Sequence, residues 1–444
     1  MNRYHEIVAR YVARTPKSQA LNARARRVMP GGDTRTGVYY APYPAFMAQG
    51  DGKYLTDIDG NQYLDLLNNF TSLVHGHAHP ALLDATRANI ARGTAFAAPL
   101  LAQVELAETI AARVPSIELL RFCNSGTEAT MLALRAARAY TRRSGMIKMI
   151  GGYHGSHDFA AATMDAEADR GIAEGIRRDI YFATFNDLDS VEKIFQAHAG
   201  EIAGILVEPI PNAGGLPLPR ENYLAGLRAL ADKHKALLIF DEVITLRLSE
   251  GGYQQIANVT PDLTALGKII GGGFPAGAFG GKRDIMRMFD PRAKNRILHS
   301  GTFNGNNATM AAGLASLRLL DQSAIARINA LGQALAQGFD DAFQEAGLVG
   351  KTTSYGSLLQ THWQRGEIAN MQAVARGHQR AQDLPYLLHL ELANRGIFCA
   401  ARGEFNTSTV LNQADVNHAV MIFSETLHYL KPYIAETNPE LLVK

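Results

Sequence analysis

Apolar positions along this chain fall into two rhythms. Short, nearly unbroken apolar runs lie at 119–123, 146–150, 180–184, 204–208 and 236–240, and each reads as a buried strand. Between them stand longer stretches with apolar residues three and four apart, such as "RENYLAGLRALADKHK", which read as helices. Strands apolar on both faces need cover on both sides. The alternation therefore predicts βα units around a mostly parallel central sheet, an α/β fold.

Upstream, "MAQGDGKYLTDIDGNQYLDLL" reads as strands joined by Asp-Gly turns. "HPALLDATRANIARG" reads as a helix opened after proline and closed at glycine. From about residue 307 the alternation stops, and a long helix, "ATMAAGLASLRLLDQ", leads into helices and short strands. The expected organisation is a large α/β domain at 61–310 and a smaller C-terminal α+β domain at 311–444, with an N-terminal segment at 1–60 packing against the latter.

Composition narrows the function by exclusion. With 47% apolar and 19% charged residues, the 444-residue chain is ordinary globular sequence. A net charge of +2 gives no long-range pull toward nucleic acid or anionic membrane. No uncharged apolar run is long enough to span a bilayer. Cys123 and Cys399 are too far apart in sequence for a disulfide framework and fit a reducing, cytoplasmic setting. Seven basic residues up to Arg27 face only Glu6. Without serine enrichment they read as a solvated basic helix, not a transit peptide.

The chemistry-bearing stretches each have a plain structural reading alone. In "FCNSGTEAT" a strand runs through Asn124, Ser125, Gly126 and Thr127 into a helix. Helix-start amides and two hydroxyls suit a phosphate, although by itself an ordinary N-cap explains them better. Asp241 ends the apolar run of "LLIFDEVITLR", where parallel sheets place ligands. Tyr153 in "GGYHGSHD" follows another strand and could stack on a planar ligand; His154 and His157 read as polar loop residues. "HGHAHP" looks like a metal cluster but runs straight into proline and a helix, so no metal is expected. "HSGTFNGNNAT" offers Thr302 on a Gly/Asn-rich loop. Lys268 is the only charge in "ALGKIIGGGFPAG", and a buried lysine loses its proton readily. Taken together, an anion cradle, a stacking ring, a strand-end carboxylate and an amine are what pyridoxal phosphate needs.

These motifs, in this order, resemble the class III aminotransferases of the fold type I pyridoxal-phosphate enzymes. "NSGTEAT", "GGYHGSHD", "VEPI", "FDEV", "PDLTALGKIIGGGFPAGAFGG" and "SGTFNGNN" carry the likeness, which runs from "MPGGDTR" to "NRGIF". Within the class, "SGTEAT", "YHG" and "LGKIIGGG" are similar to the glutamate-1-semialdehyde aminomutase group. "ITLRLSEGGYQ", "HSGTFNGNN" and "GGDTR" depart from that group and resemble the β-amino acid (β-phenylalanine type) aminotransferases. The resemblance implies a β-amino acid:2-oxo acid aminotransferase, with the aminomutase or another ω-amino acid transaminase as alternative. It implies that Lys268 forms the imine with the cofactor and that Asp241 pairs with its ring nitrogen. Tyr153 and Val243 would flank the ring, Ser125, Gly126 and Thr127 would hold the phosphate, and Glu208 would sit beside the site. Thr302 would reach the phosphate from the other subunit of a homodimer. Arg35 would bind the β-amino acid carboxylate and Arg402 the α-carboxylate of the 2-oxo acid. A non-catalytic binding protein on this fold has no helix pair or basic patch to support it.

Overall fold

In the computed structural model, which describes residues 3–165 and 167–443, two helices open the chain: α1 (Arg3–Arg14) and α2 (Pro16–Ala25). Helix α1 buries Ile7 and Tyr11 and ties down its basic residues: Arg10 pairs with Glu391 at 2.8 Å, and Arg14 bonds the Asn61 side chain. It is a docked helix, where sequence suggested a solvated one. An antiparallel meander follows: β1 (Met47–Asp51), β2 (Tyr54–Asp57) and β3 (Gln62–Asp65). Two helices, α3 (Pro80–Ile90) and α4 (Leu101–Arg113), then lead to the central sheet.

That sheet has seven strands: β4 (Leu119–Cys123), β5 (Gly145–Met149), β6 (Ile180–Ala183), β7 (Ile202–Val207), β8 (Leu237–Asp241), β9 (Leu263–Gly267) and β10 (Gly277–Gly281). Their order is β4-β10-β9-β8-β7-β5-β6, and only β10 runs against its neighbours. The expected fold class is the observed one. Strand pleating explains the continuous apolar runs. Ile205, Val207, Leu238 and Phe240 pack one face against Val191 and Leu227 of the covering helices. Leu206, Leu237 and Ile239, one residue out of phase, pack the other face against Ala129 and Ala133 of helix α5 (Gly126–Thr141).

Two strands were not legible in the pattern. Strand β10 is "GAFGG", and glycine carries no strand signal. Its glycines answer to space: a Cβ at Gly277 would collide with the Ser125 carbonyl, and one at Gly281 with that of Asp262. Strand β9, "LTALG", is short and runs through Gly267 directly into Lys268 and the apolar Ile269-Ile270, so its end is not set off by a polar loop.

Beyond β10 come helices Asn307–Leu319 and Gln322–Glu345, then an antiparallel sheet of β11 (Lys351–Tyr355), β12 (Leu358–His362) and, from further along the chain, β14 (Glu404–Asn406). The long C-terminal helix Gln413–Thr437 packs on Gln322–Glu345, with the Phe339 and Phe423 rings stacked at 4.0 Å. Strand β13 (Ile397–Phe398) pairs in parallel with β3, so both chain ends share one sheet and one core. No helix among the described residues is long and apolar enough to cross a membrane.

Gly277→Ala tests how tightly β10 is pressed against the turn that starts α5. The expected loss is about 1–3 kcal/mol of unfolding free energy, the usual range for overpacking. A melting curve matching the parent's would show that the strand can move away.

Candidate active site

Strands β8 and β9 are parallel neighbours, with Asp241 opposite Ala265. Asp241 is the last residue of β8, and Lys268 is the first residue beyond β9, so both side chains stand at the carboxyl edge of the sheet. Lys268 has φ of 48°, in the left-handed region that residues with a Cβ avoid. Such strain persists only where the surroundings impose it, commonly at functional sites. Both residues line a cavity of about 480 Å³ together with Ser125, Gly126, Thr127, Tyr153, Glu208, Val243 and Arg35. The structure thus brings together nine of the eleven residues singled out from sequence.

The charges in this cavity act on each other. Burial lowers the pKa of Lys268, and the opposing pull of Asp241, Glu404 and Glu208 does not cancel it. Glu208 is pushed up from the ordinary 4.5 to about 8, first by burial and then by the Asp241 charge, although it accepts a bond from the Tyr153 amide at 2.9 Å. Asp241 meets His154 Nδ1 at 2.9 Å through Oδ2, and its Oδ1 accepts from the Val243 amide at 3.2 Å. Burial holds the His154 pKa down, against the pull of Asp241. The neutral ring that donates from Nδ1 leaves Nε2 as an acceptor, and that atom is buried without a partner.

The opposite wall is the start of α5. Ser125 is its N-cap, with Oγ accepting from the Glu128 amide at 3.1 Å. The cap reading and the anion reading are compatible, because the hydroxyl proton remains free to donate. Gly126 and Thr127 occupy the first two helical positions, whose amides have no partner within a helix. A Cβ on Gly126 would press on Val243 at 3.0 Å, so glycine lets the cradle and the β8 end approach. The glycines after Lys268 serve packing in part: a Cβ on Gly272 would collide with the Ala312 carbonyl of helix Asn307–Leu319.

Two expected residues lie elsewhere. Thr302 is exposed on a loop outside the cavity, beside Leu298 and Phe303, which are 73% and 59% exposed. Arg402 turns inward, where its Nη2 donates to Glu404 and its guanidinium lies 5.5 Å from the Phe70 ring centre. Glu404 in turn accepts from Asn212 at 2.7 Å. A second cavity, of about 430 Å³, adjoins the first. Arg35 lines both, and Tyr39, Tyr40, Phe46, Phe70, Leu73 and Phe398 help form the second; Tyr43 is instead packed in the core. His77 bonds Asp65, and His75 bonds Thr409 and the Ser316 carbonyl, so these histidines serve the fold.

Residues 37–410 match the family described as aminotransferase class-III. The chain belongs to the class-III aminotransferase family. Glutamate-1-semialdehyde 2,1-aminomutase of Roseiflexus castenholzii is 42% identical over 78% of this chain and 82% of its own length. Among solved structures, an omega-transaminase from Sphaerobacter thermophilus is 40% identical with a TM-score of 0.89, covering 94% of this chain and 98% of that one. A beta-phenylalanine aminotransferase from Variovorax paradoxus is 34% identical with a TM-score of 0.88, covering 99% and 98%. This class-III aminotransferase is a pyridoxal-phosphate-dependent enzyme of fold type I.

The residues present fit that cofactor. The site offers an amine whose charge is disfavoured, a carboxylate one strand away, paired free amides and an aromatic wall, with Tyr153 56% exposed toward the cavity. Sequence reasoning missed His154 as the partner of Asp241. It lies next to Tyr153 in "GGYHGSHD", yet nothing in the string distinguishes it from His157. Asn69 and Ser72 of "NNFTS" were also missed, because their backbone conformation brings them to the cavity.

Glu208 gives the site a pH signature. Its folded pKa lies above the unfolded one, so between about pH 4.5 and about 8 the native state holds a proton that the unfolded chain has released. That contribution to stability is present at low pH and fades as pH rises through the window. In the cofactor-free protein, Glu208→Gln should lose less stability than the parent between those limits, read from melting temperatures across pH. Parallel profiles would refute the shift.

Proposed function

We propose that this chain moves the amino group of a β-amino acid bearing an apolar or aromatic side chain to a 2-oxo acid such as 2-oxoglutarate or pyruvate. The observation that carries this reading is Arg35 at the junction of two cavities, one holding Lys268 and the other walled by Tyr39, Tyr40, Phe46 and Phe398. A guanidinium there can take a carboxylate while an apolar side chain fills the second cavity.

The proposed roles follow from position. Gly126 and Thr127 amides with the Ser125 and Thr127 hydroxyls would hold the phosphate, Asp241 would face the ring nitrogen, and Tyr153 and Val243 would flank the ring. When bound, pyridoxal phosphate supplies a carbonyl that takes up the amino nitrogen and a ring that withdraws electrons from the neighbouring carbon. Lys268 Nζ, whose pKa burial lowers, takes the proton from the substrate carbon in its unprotonated form and returns it in the reverse half-reaction. His154 fixes the Asp241 carboxylate from below. Glu208, whose pKa burial raises, carries less negative charge beside Lys268 than an exposed carboxylate would. Thr302 is proposed to complete the phosphate site of a second copy in a cytoplasmic homodimer; its exposure beside Leu298 and Phe303 supports that arrangement. The large α/β domain is taken as residues 61–310, with 311–444 and the N-terminal segment 1–60 packed beside it.

The names of the curated relatives favour a second reading, glutamate-1-semialdehyde 2,1-aminomutase, an isomerase that needs no 2-oxo acid. A donor panel of α-, β- and ω-amino compounds with two oxo-acid acceptors separates them. The expected result is transfer from a β-amino acid that stops when the acceptor is omitted. Complete conversion of glutamate-1-semialdehyde without acceptor, and no transfer from β-amino acids, would replace the transaminase by the aminomutase.

Arg402 is held by Glu404, so a substrate carboxylate must displace that partner. Arg402→Ala should raise KM for 2-oxoglutarate and for pyruvate alike, by about tenfold or more, the scale of one charge-assisted pair, because both carry the α-carboxylate. Unchanged KM for both acceptors would remove it from the role.

A further inference from the structure

Four consecutive residues, Asn68, Asn69, Phe70 and Thr71, have φ of 48°, 48°, 53° and 74°. L-residues visit this left-handed region singly, and a whole turn of them, including a bulky phenylalanine, is strongly disfavoured. It survives only where contacts over-determine it. Here they do. Asp65 Oδ1 accepts from the amides of Leu67 and Asn68 at 2.8 and 2.9 Å. Asn68 Nδ2 donates to the Asn406 side-chain and backbone oxygens, and Asn406 Nδ2 donates to the Leu67 carbonyl. The turn's last carbonyl, that of Thr71, accepts from Arg247 Nη1 at 3.1 Å.

Arg247 is fully buried and is bound by neutral oxygens: the Thr71 and Thr407 carbonyls, the Asn406 side chain and the Ser357 hydroxyl. Among the described residues it has no carboxylate partner within ion-pair distance. A buried cation satisfied by neutral groups is costly, so its place in the fold calls for an explanation. What it holds is the strained turn.

The turn carries both arginines that the proposed function assigns to carboxylates. Asn69 Oδ1 accepts from Arg35 Nη1 at 2.9 Å, while its Nδ2 donates to Ser72 Oγ at 3.0 Å, which fixes the amide's orientation. Phe70 lies under the Arg402 guanidinium. The choice of asparagine matters. A neutral oxygen engages one of Arg35's donors and leaves its charge and remaining N–H groups for a ligand. An aspartate at that point would neutralise it.

We propose that the left-handed turn 68–71, anchored by Arg247, is the positioning element for substrate carboxylates, with Asn69 setting the aim of Arg35. This rests on the reading of Arg35 as a carboxylate binder. The experiment compares the holoenzyme with Arg35→Ala, Asn69→Ala, Asn69→Asp and Arg247→Lys. It reads KM and kcat for the best carboxylate donor of the panel and Ki for 3-phenylpropanoate, a carboxylate without an amine. Asn69→Asp is expected to raise KM and Ki by about tenfold and Asn69→Ala by about threefold, with kcat nearly unchanged, on the scale of one charged contact. Arg247→Lys should raise KM for both donor and 2-oxo acid. Asn69 is exposed to the cavity, so its variants remain readable even if Arg247→Lys folds poorly. If Arg35→Ala raises KM and Ki while both Asn69 variants match the parent, the positioning role is overturned and the carboxylate reading stands. If Arg35→Ala itself leaves both constants unchanged, that reading falls and the proposal falls with it.

Discussion

The site depends on burying one amine among acids. Asp241, Glu404 and Glu208 pull the Lys268 pKa up, and burial pulls it down further than they raise it. The surroundings hold those acids in different ways. Desolvation raises the Glu208 pKa and so weakens its charge. Glu404 spends its charge on Arg402 and accepts a second bond from Asn212. Asp241 is tied to His154 and to the Val243 amide. Removing one of these partners would leave its acid free to act on the amine and raise the Lys268 pKa toward its ordinary value.

The frame that permits this is rigid by crowding. Gly126, Gly272 and Gly277 stand where a methyl group would meet Val243, the Ala312 carbonyl and the Ser125 carbonyl. Strand ends, the α5 start and helix Asn307–Leu319 are therefore at closest approach around the lysine. The left-handed Lys268 and the left-handed turn 68–71 are bound into the same frame. Strain at the amine and strain beside Arg35 and Arg402 are both imposed by packing, which is how a site keeps groups in orientations that they would not choose alone.

Much of this was legible in sequence because it follows from local pattern. Continuous apolar runs gave five of the seven central strands, since a doubly covered sheet has no polar face to interrupt them. Strand-end logic placed Asp241, and helix-start logic placed Ser125 to Thr127. What escaped was set by tertiary neighbours. Strand β10 is mostly glycine because other backbones crowd it. His154 matters through an aspartate 87 positions away. The turn 68–71 reads as ordinary loop sequence, and its conformation is dictated by Arg247 and Asn406, far along the chain.

The likeness to both transaminases and aminomutases has a physical origin. A transaminase and an aminomutase ask the same things of Lys268, Asp241 and the phosphate cradle, so those residues carry the likeness to both. Donor choice falls to what surrounds them: Arg35, the turn that aims it, and the aromatic cavity behind it. The second cavity, of about 430 Å³, has Tyr39, Tyr40, Phe46 and Phe398 on its wall beside Asp65 and His77, and aromatic surface left unfilled there forfeits dispersion contacts that a phenyl or alkyl group would recover. We propose on this ground a larger, less polar donor, while the names of the curated relatives favour the smaller glutamate-1-semialdehyde.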